Sequence, residues 1–231
     1  MTSLHVFADI APTATYLKNG EEVTVTAIPD EQAAEFTEEA PLRVSFKANA
    51  SSLDEGATLE WHFSHKGAND SSSEVTRYEE DTEYNFTESG LTTVTLKVMQ
   101  EGELVSSAEF RVTISESHLE MPNAFSPNDD HINDIYGAKG VNSDDPNSTG
   151  HYKSIVEFHG YIFNRWGQKL FEWTDISKGW DGKYNGHPVK DGVYFVLVKA
   201  RGADGIEYNI RRDINLIRSF NEVSTSGGGD E

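Results

Sequence analysis

Apolar and polar residues alternate along most of this chain with a period of two, and a helical period of 3.6 is hard to find anywhere. Leu42, Val44, Phe46 and Ala48 interleave with Arg43, Ser45 and Lys47. The same rhythm returns in Leu59, Trp61 and Phe63, in Val94, Leu96 and Val98, and in Phe110, Val112 and Ile114. Every second side chain then lies on one buried face, which predicts β-strands. Turn-forming clusters separate them at Asp54-Glu55-Gly56, Gly67 to Ser73, Glu88-Ser89-Gly90 and Glu101-Gly102, so residues 39–118 are expected to fold as an antiparallel sandwich with Trp61 in its core. Ahead of them, Thr13 to Leu17 and Val23 to Ala27 flank Asn19-Gly20, a pair that tolerates positive φ and predicts a tight hairpin. The acidic stretch from Asp30 to Glu39 reads as a solvated loop. Residues 1–38 are thus expected to be a hairpin and an acidic loop that pack on the first sandwich, since a lone hairpin is marginal.

A boundary falls near Ser115-Glu116-Ser117-His118, and residues 119–220 read as a second β module. Tyr161, Phe163, Trp166, Leu170 and Phe171 form one apolar region. Val193, Phe195 and Leu197 alternate with Tyr194, Val196 and Val198, a strand apolar on both faces that belongs in the centre of a sandwich. Residues 221–231, rich in Ser, Gly and acid, are expected to be a disordered tail. The expected fold class is all-β: two immunoglobulin-like antiparallel β-sandwiches in tandem, with a small N-terminal hairpin.

Composition sharpens this picture. The 11% aromatic content is too high for a chain that fails to build a core, despite a formal charge of −20. The charge is uneven: residues 1–118 hold 22 acidic against 7 basic side chains, and residues 119–231 hold 17 against 12. The halves are therefore different modules. A field this negative repels nucleic-acid phosphates, and no basic patch offsets it, so nucleic acid is not an expected partner. The absence of cysteine excludes disulfides, Cys-ligated zinc, iron–sulfur clusters and thiol catalysis. No run of about 18 apolar residues exists, so no transmembrane segment is expected. Met1-Thr2-Ser3-Leu4-His5 lacks the basic start and apolar stretch of a signal peptide; export would require a peptide removed beforehand.

Two resemblances arise from ordered residues. Leu59-Glu60-Trp61-His62-Phe63-Ser64, with Tyr84-Asn85-Phe86-Thr87-Glu88-Ser89-Gly90 and Thr93 to Val98, resembles a PKD domain, an immunoglobulin-like sandwich. The family's Gly-Asp-Gly after the tryptophan strand is replaced around Ser64-His65-Lys66. Pro122-Asn123-Ala124-Phe125-Ser126-Pro127-Asn128, Ile132-Asn133-Asp134, Ile162-Phe163-Asn164-Arg165-Trp166-Gly167, Gly179-Trp180-Asp181-Gly182, Tyr184-Asn185-Gly186 and Gly192-Val193-Tyr194 are similar to the gliding motility-associated C-terminal domain, the type B sorting domain of the type IX secretion system. This resemblance implies a protein that is secreted or held at the outer-membrane surface, with outer-membrane secretion machinery as its partner. The family's Asn-Gly-Asp-Gly reads here Asn128-Asp129-Asp130-His131.

The candidate sites each have a functional and a plain reading. Asn128, Asp129, Asp130, Asn133 and Asp134 are oxygen donors suited to Ca²⁺, with Asn128, Asp130, Asn133 and Asp134 as its ligands, or they are Asx-turns bonded to their own backbone, the commoner use. Trp166, Trp173, Trp180 and Tyr184 form either a sugar-stacking platform or core, with Trp166 and Trp180 turned inward by the neighbouring tight turns. Asp181-Gly182, Asn185-Gly186 and Asp191-Gly192 are turn dipeptides before they are catalytic carboxylates. His62 and His65 face opposite sides of a strand, and no zinc, phosphate-loop or nucleophile motif occurs. The expected protein is not an enzyme, has no catalytic residue and needs no cofactor; a glycan- or matrix-binding adhesion module is the alternative.

Overall fold

The computed structural model describes residues 9–51, 53, 55–67, 71–140 and 151–218. The expected tail at 221–231, the loop Asp144 to Asn147 and the start Met1 to His5 lie outside the described residues. The chain forms two compact units, one of residues 1–118 with Lys153–Val156 and Arg201–Ile206, the other of 119–152, 157–200 and 207–231. The described residues contain strands and no helix.

The first unit is built from β1 (Thr13–Lys18), β2 (Glu21–Thr26), β3 (Ala34–Glu38), β4 (Leu42–Lys47), β5 (Ala57–Gly67), β6 (Ser72–Arg77), β7 (Asp81–Phe86), β8 (Gly90–Gln100) and β9 (Glu103–Ile114). One sheet runs in the order β2-β1-β4-β7 and the other β3-β9-β8-β5-β6. Alternation decides which side chains go inside: along β4, Leu42, Val44 and Phe46 are buried while Arg43 and Lys47 face water. Phe46 occupies the middle of the core, with ring centroids 5.7 Å from Trp61, 5.6 Å from Phe63 and 5.6 Å from Phe110. Tilted and edge-on contacts of this kind add to the large apolar area that each ring removes from water.

The expected hairpin is present, with Asn19 at φ 53° and Gly20 at φ 83°. It joins the sheet, because β1 pairs antiparallel with both β2 and β4. The acidic stretch is a correction to the solvated-loop expectation: β3 pairs parallel with β9, Ala34 opposite Phe110 and Phe36 opposite Val112. Ala34 and Phe36 already alternate with Glu35 and Thr37, and Phe36 stacks on Tyr16 at 5.0 Å. The surrounding carboxylates hide a strand of only five residues.

Two later segments complete this unit. Ser154, buried and at φ 48°, accepts the Ala40 N–H on its hydroxyl at 3.2 Å and bonds the Ser115 hydroxyl at 3.0 Å. Asp204 accepts the Ser117 N–H at 2.8 Å and its hydroxyl at 2.7 Å. Burial pushes the Asp204 carboxyl up, but the bonds from Ser117 and from local N–H groups outweigh it, and the net shift is downward.

The second unit holds β10 (His118–Leu119), β11 (Ala124–Phe125), β12 (Lys139–Gly140), β13 (His151–Lys153), β14 (Ile155–Phe163), β15 (Lys169–Trp173), β16 (Lys183–Tyr184), β17 (His187–Pro188), β18 (Gly192–Gly202) and β19 (Glu207–Leu216). Its main sheet is β11-β19-β18-β14-β15, accompanied by β10-β13-β12 and the small hairpin β16-β17. The fold is thus all-β, with β-sandwich units in tandem along the chain. β18 is central, as its composition predicts, and buries Tyr194, Val196 and Val198. Its other face stays open: Val193 and Phe195 are 49% and 44% exposed, which corrects the expectation of burial on both sides.

Candidate functional site

The motif residues of the second unit separate into three groups and a self-bonded loop. The first surrounds Trp180, which is fully buried 5.4 Å from Phe125 and 5.2 Å from Tyr194. Tyr136 closes the other side of Phe125 at 5.6 Å and exchanges two backbone hydrogen bonds of 2.9 Å with Trp180. Each polar tip finds a carbonyl: Trp180 Nε1 donates to Lys183 at 2.7 Å, the Tyr194 hydroxyl to Lys190 at 2.6 Å and the Tyr136 hydroxyl to Pro122 at 3.0 Å. Buried rings with satisfied tips are structural anchors. Burial raises the hydroxyls of Tyr136 and Tyr194, leaving both neutral.

The second group is tied by Arg218. Its guanidinium donates to the Gly182 carbonyl at 2.9 Å and to Asp191 Oδ1 at 2.9 Å, and its N–H reaches Asp191 Oδ2 at 2.8 Å. Asp191 is therefore held as an anchor for Arg218, while Asp181 accepts the Lys183 N–H at 3.1 Å. Asn123 accepts the Asn215 N–H at 2.9 Å, beside the pairing of β11 with β19. Pro127 lies next to Gly182, and Gly192 opens β18.

The loop after Pro127 bonds itself. Asp134 Oδ1 accepts the N–H groups of Asn128 and Asp129 at 2.9 Å, and Oδ2 accepts that of His131 at 2.8 Å. Asp130 Oδ1 accepts the Ile132 N–H at 2.8 Å, Asn128 Oδ1 accepts the Asp130 N–H at 3.2 Å, and Asn133 supplies its carbonyl to Ser126 at 2.9 Å. This is an anion-binding nest filled by the chain's own carboxylate, the Asx-turn geometry. Burial raises Asp134, yet the three N–H groups prevail and its carboxyl is held below the ordinary range. Among the described residues, no group of three or more His, Cys, Asp or Glu is placed to hold a metal ion. A cleft of about 330 Å³ adjoins the loop, lined by Phe125, Asn128, Asp130, Asn133, Ile217 and Arg218 among others.

The third group is the β14–β15 turn. Asn164 Oδ1 accepts the N–H groups of Trp166 at 3.0 Å and Gln168 at 3.1 Å, and Asn164 also donates its own N–H to the Gln168 carbonyl at 3.0 Å. Gly167, at φ 79°, supplies the left-handed residue that closes the turn. The closure turns Trp166 away from the sheet: it is 78% exposed, with the Arg165 guanidinium 4.9 Å from its ring centroid. This overturns the expectation that the tight turn brings Trp166 inward. The four rings do not share a surface, because Trp173 and Trp180 are buried and Tyr184 is half-buried, its hydroxyl bonded by Gln168 at 3.2 Å. The sequence reading missed Tyr136 and the clamp of Arg218; the apolar pair Ile135-Tyr136 after a polar run was the only signal for the former.

This arrangement defines a class: a β-sandwich protein whose second unit is fixed by buried aromatic and arginine anchors. Residues 119–210 match the family model of the CHU_C type IX secretion signal domain. The chain therefore carries the signal of a protein exported to the cell surface or secreted. No curated protein matches it. Among solved structures, the tetra-tandem repeat in the extending region of a large adhesion protein is similar over 92% of this chain and 68% of its own, at 12% identity and a TM-score of 0.27.

Proposed function

We propose that this chain is a non-catalytic cell-surface protein whose residues 119–220 direct it through the outer-membrane type IX machinery, with the PKD-like sandwich as the displayed cargo. The match of residues 119–210 to the secretion signal family carries the reading. The geometry supports the non-catalytic part. In the cleft beside the Asn/Asp loop the ionisable side chains are Asp130 and Arg218, and both are bonded within the chain. The Asn/Asp loop serves as a self-bonded turn, with its carboxylates directed at N–H groups rather than at a shared ion position.

The full chain, placed behind a signal peptide in a bacterium with type IX secretion, should reach the surface or medium. In an isogenic strain lacking the machinery it should remain in the periplasm. Equal export from both strains would defeat the sorting role. The glycan-binding alternative is weakened by the scattering of its four rings between core and surface.

A further inference from the structure

We infer that the tip of the β14–β15 hairpin, Arg165 with Trp166, is the docking anchor for a protein partner that offers an apolar slot rimmed by carboxylates; the inference rests on the sorting reading above. The tip stands apart from the other motif residues. Phe125, Trp180 and Tyr194 are buried in this unit, whereas Trp166 gives most of its indole to water. An exposed tryptophan forgoes the largest apolar burial that any side chain offers, and Trp and Arg are the residue types that most often dominate binding energy at protein interfaces.

The anchor is also pre-ordered. Asn164 and Gln168 close the turn with backbone and side-chain hydrogen bonds, including Asn164 Nδ2 to Gln168 Oε1 at 2.9 Å. A partner therefore meets a loop that has already given up its conformational freedom, which lowers the entropy lost on docking.

The charge pattern selects the partner's chemistry. Arg43, Arg111 and Arg218 each reach a carboxylate within the chain. Arg165 reaches none among the described residues and sits over the Trp166 ring, 4.9 Å from its centroid, instead. This is notable in a chain with 39 acidic and 19 basic side chains, where an intramolecular carboxylate is easy to find. The stretch of chain that carries the tip is also less acidic than the rest, since residues 157–200 hold six Lys and Arg against five Asp and Glu. A guanidinium held over an indole presents a fork of N–H donors beside an apolar edge, a match for a carboxylate at the rim of a hydrophobic slot. A sugar platform would instead need a second free ring, and Trp173 and Trp180 are inside the unit.

The test uses the full chain behind a signal peptide in a type IX-competent bacterium, with Trp166→Ala, Arg165→Glu and Arg165→Lys. Both side chains are at the surface, so the variants should melt within about a degree or two of the parent, as surface substitutions do. Trp166→Ala and Arg165→Glu should each lower the ratio of exported to periplasmic protein by about tenfold or more, the scale of a lost interface anchor. Arg165→Lys should lose less, because it keeps the charge without the fork. Export of all three at the parent's level, with the parent itself exported, would overturn the anchor and leave the sorting reading intact. A parent stranded in the periplasm would overturn both. Unchanged export together with glycan-array binding that Trp166→Ala abolishes would assign the tip to sugar and reject the protein partner.

Discussion

Trp173 lies flat against the backbone of Gly160 across the β14–β15 pair, so closely that a Cβ at 160 would stand 2.5 Å from the indole. The ring needs the missing side chain. Gly160→Ala should push Trp173 outward and destabilise the second unit by about 1–3 kcal/mol, the range for overpacking a close-packed site. Thermal unfolding and a red shift of tryptophan emission check this. Combining it with Trp173→Phe should recover part of the loss.

Arg218 joins the end of β19 to the Gly182 carbonyl and to Asp191. Arg218→Ala would remove the guanidinium's bonds to both while its backbone N–H stays on Asp191 and the Val189 N–H stays on the Gly182 carbonyl, and it should lower stability by about 1–3 kcal/mol, the range for hydrogen bonds to charged groups. Arg218→Lys should recover little, because one ammonium cannot replace a fork that reaches both. Urea unfolding of the three proteins measures the difference.

The Asp134 carboxyl titrates below its ordinary value, so its folded-state pKa is lower than its unfolded one. Its contribution to stability is then complete above the ordinary carboxylate range and disappears as pH falls through the folded value. Asp134→Asn should flatten this part of the acid dependence of melting, and Asp134→Ala should destabilise the loop by about 1–2 kcal/mol at neutral pH. Melting in calcium and in chelator should coincide; a rise with calcium would show an ion among these oxygens.

Phe46 is fully buried among four other rings. Phe46→Ala should destabilise the first unit by about 3–5 kcal/mol, and denaturant titration reads the loss directly.

Alternation revealed the strands through Phe46, Trp61, Val94 and Phe110, since a period of two with one apolar face has few other solutions. It missed β3, whose two apolar residues sit among carboxylates and whose partner β9 lies over seventy positions away. Parallel pairing at such distance leaves no local turn signal. At the site, the ordered Asn, Gly and Trp motifs located the right loops. They could not show that Trp166 points out and Trp180 in, because both adjoin tight turns and the difference lies in Asn164 and Gln168 closing one turn while Tyr136 pairs with the other. Nor could composition show Asp134 turned toward its own backbone.

The first sandwich contains pieces made late. Ser154 holds the N–H of Ala40, and Ala203 accepts that of Ser89 at 3.0 Å. A ribosome or translocation pore delivering this polypeptide from its N-terminus thus releases all nine strands before the residues that finish their packing emerge. Vectorial delivery gives the leading half a waiting period in an incomplete state, ended only when residue 206 comes free.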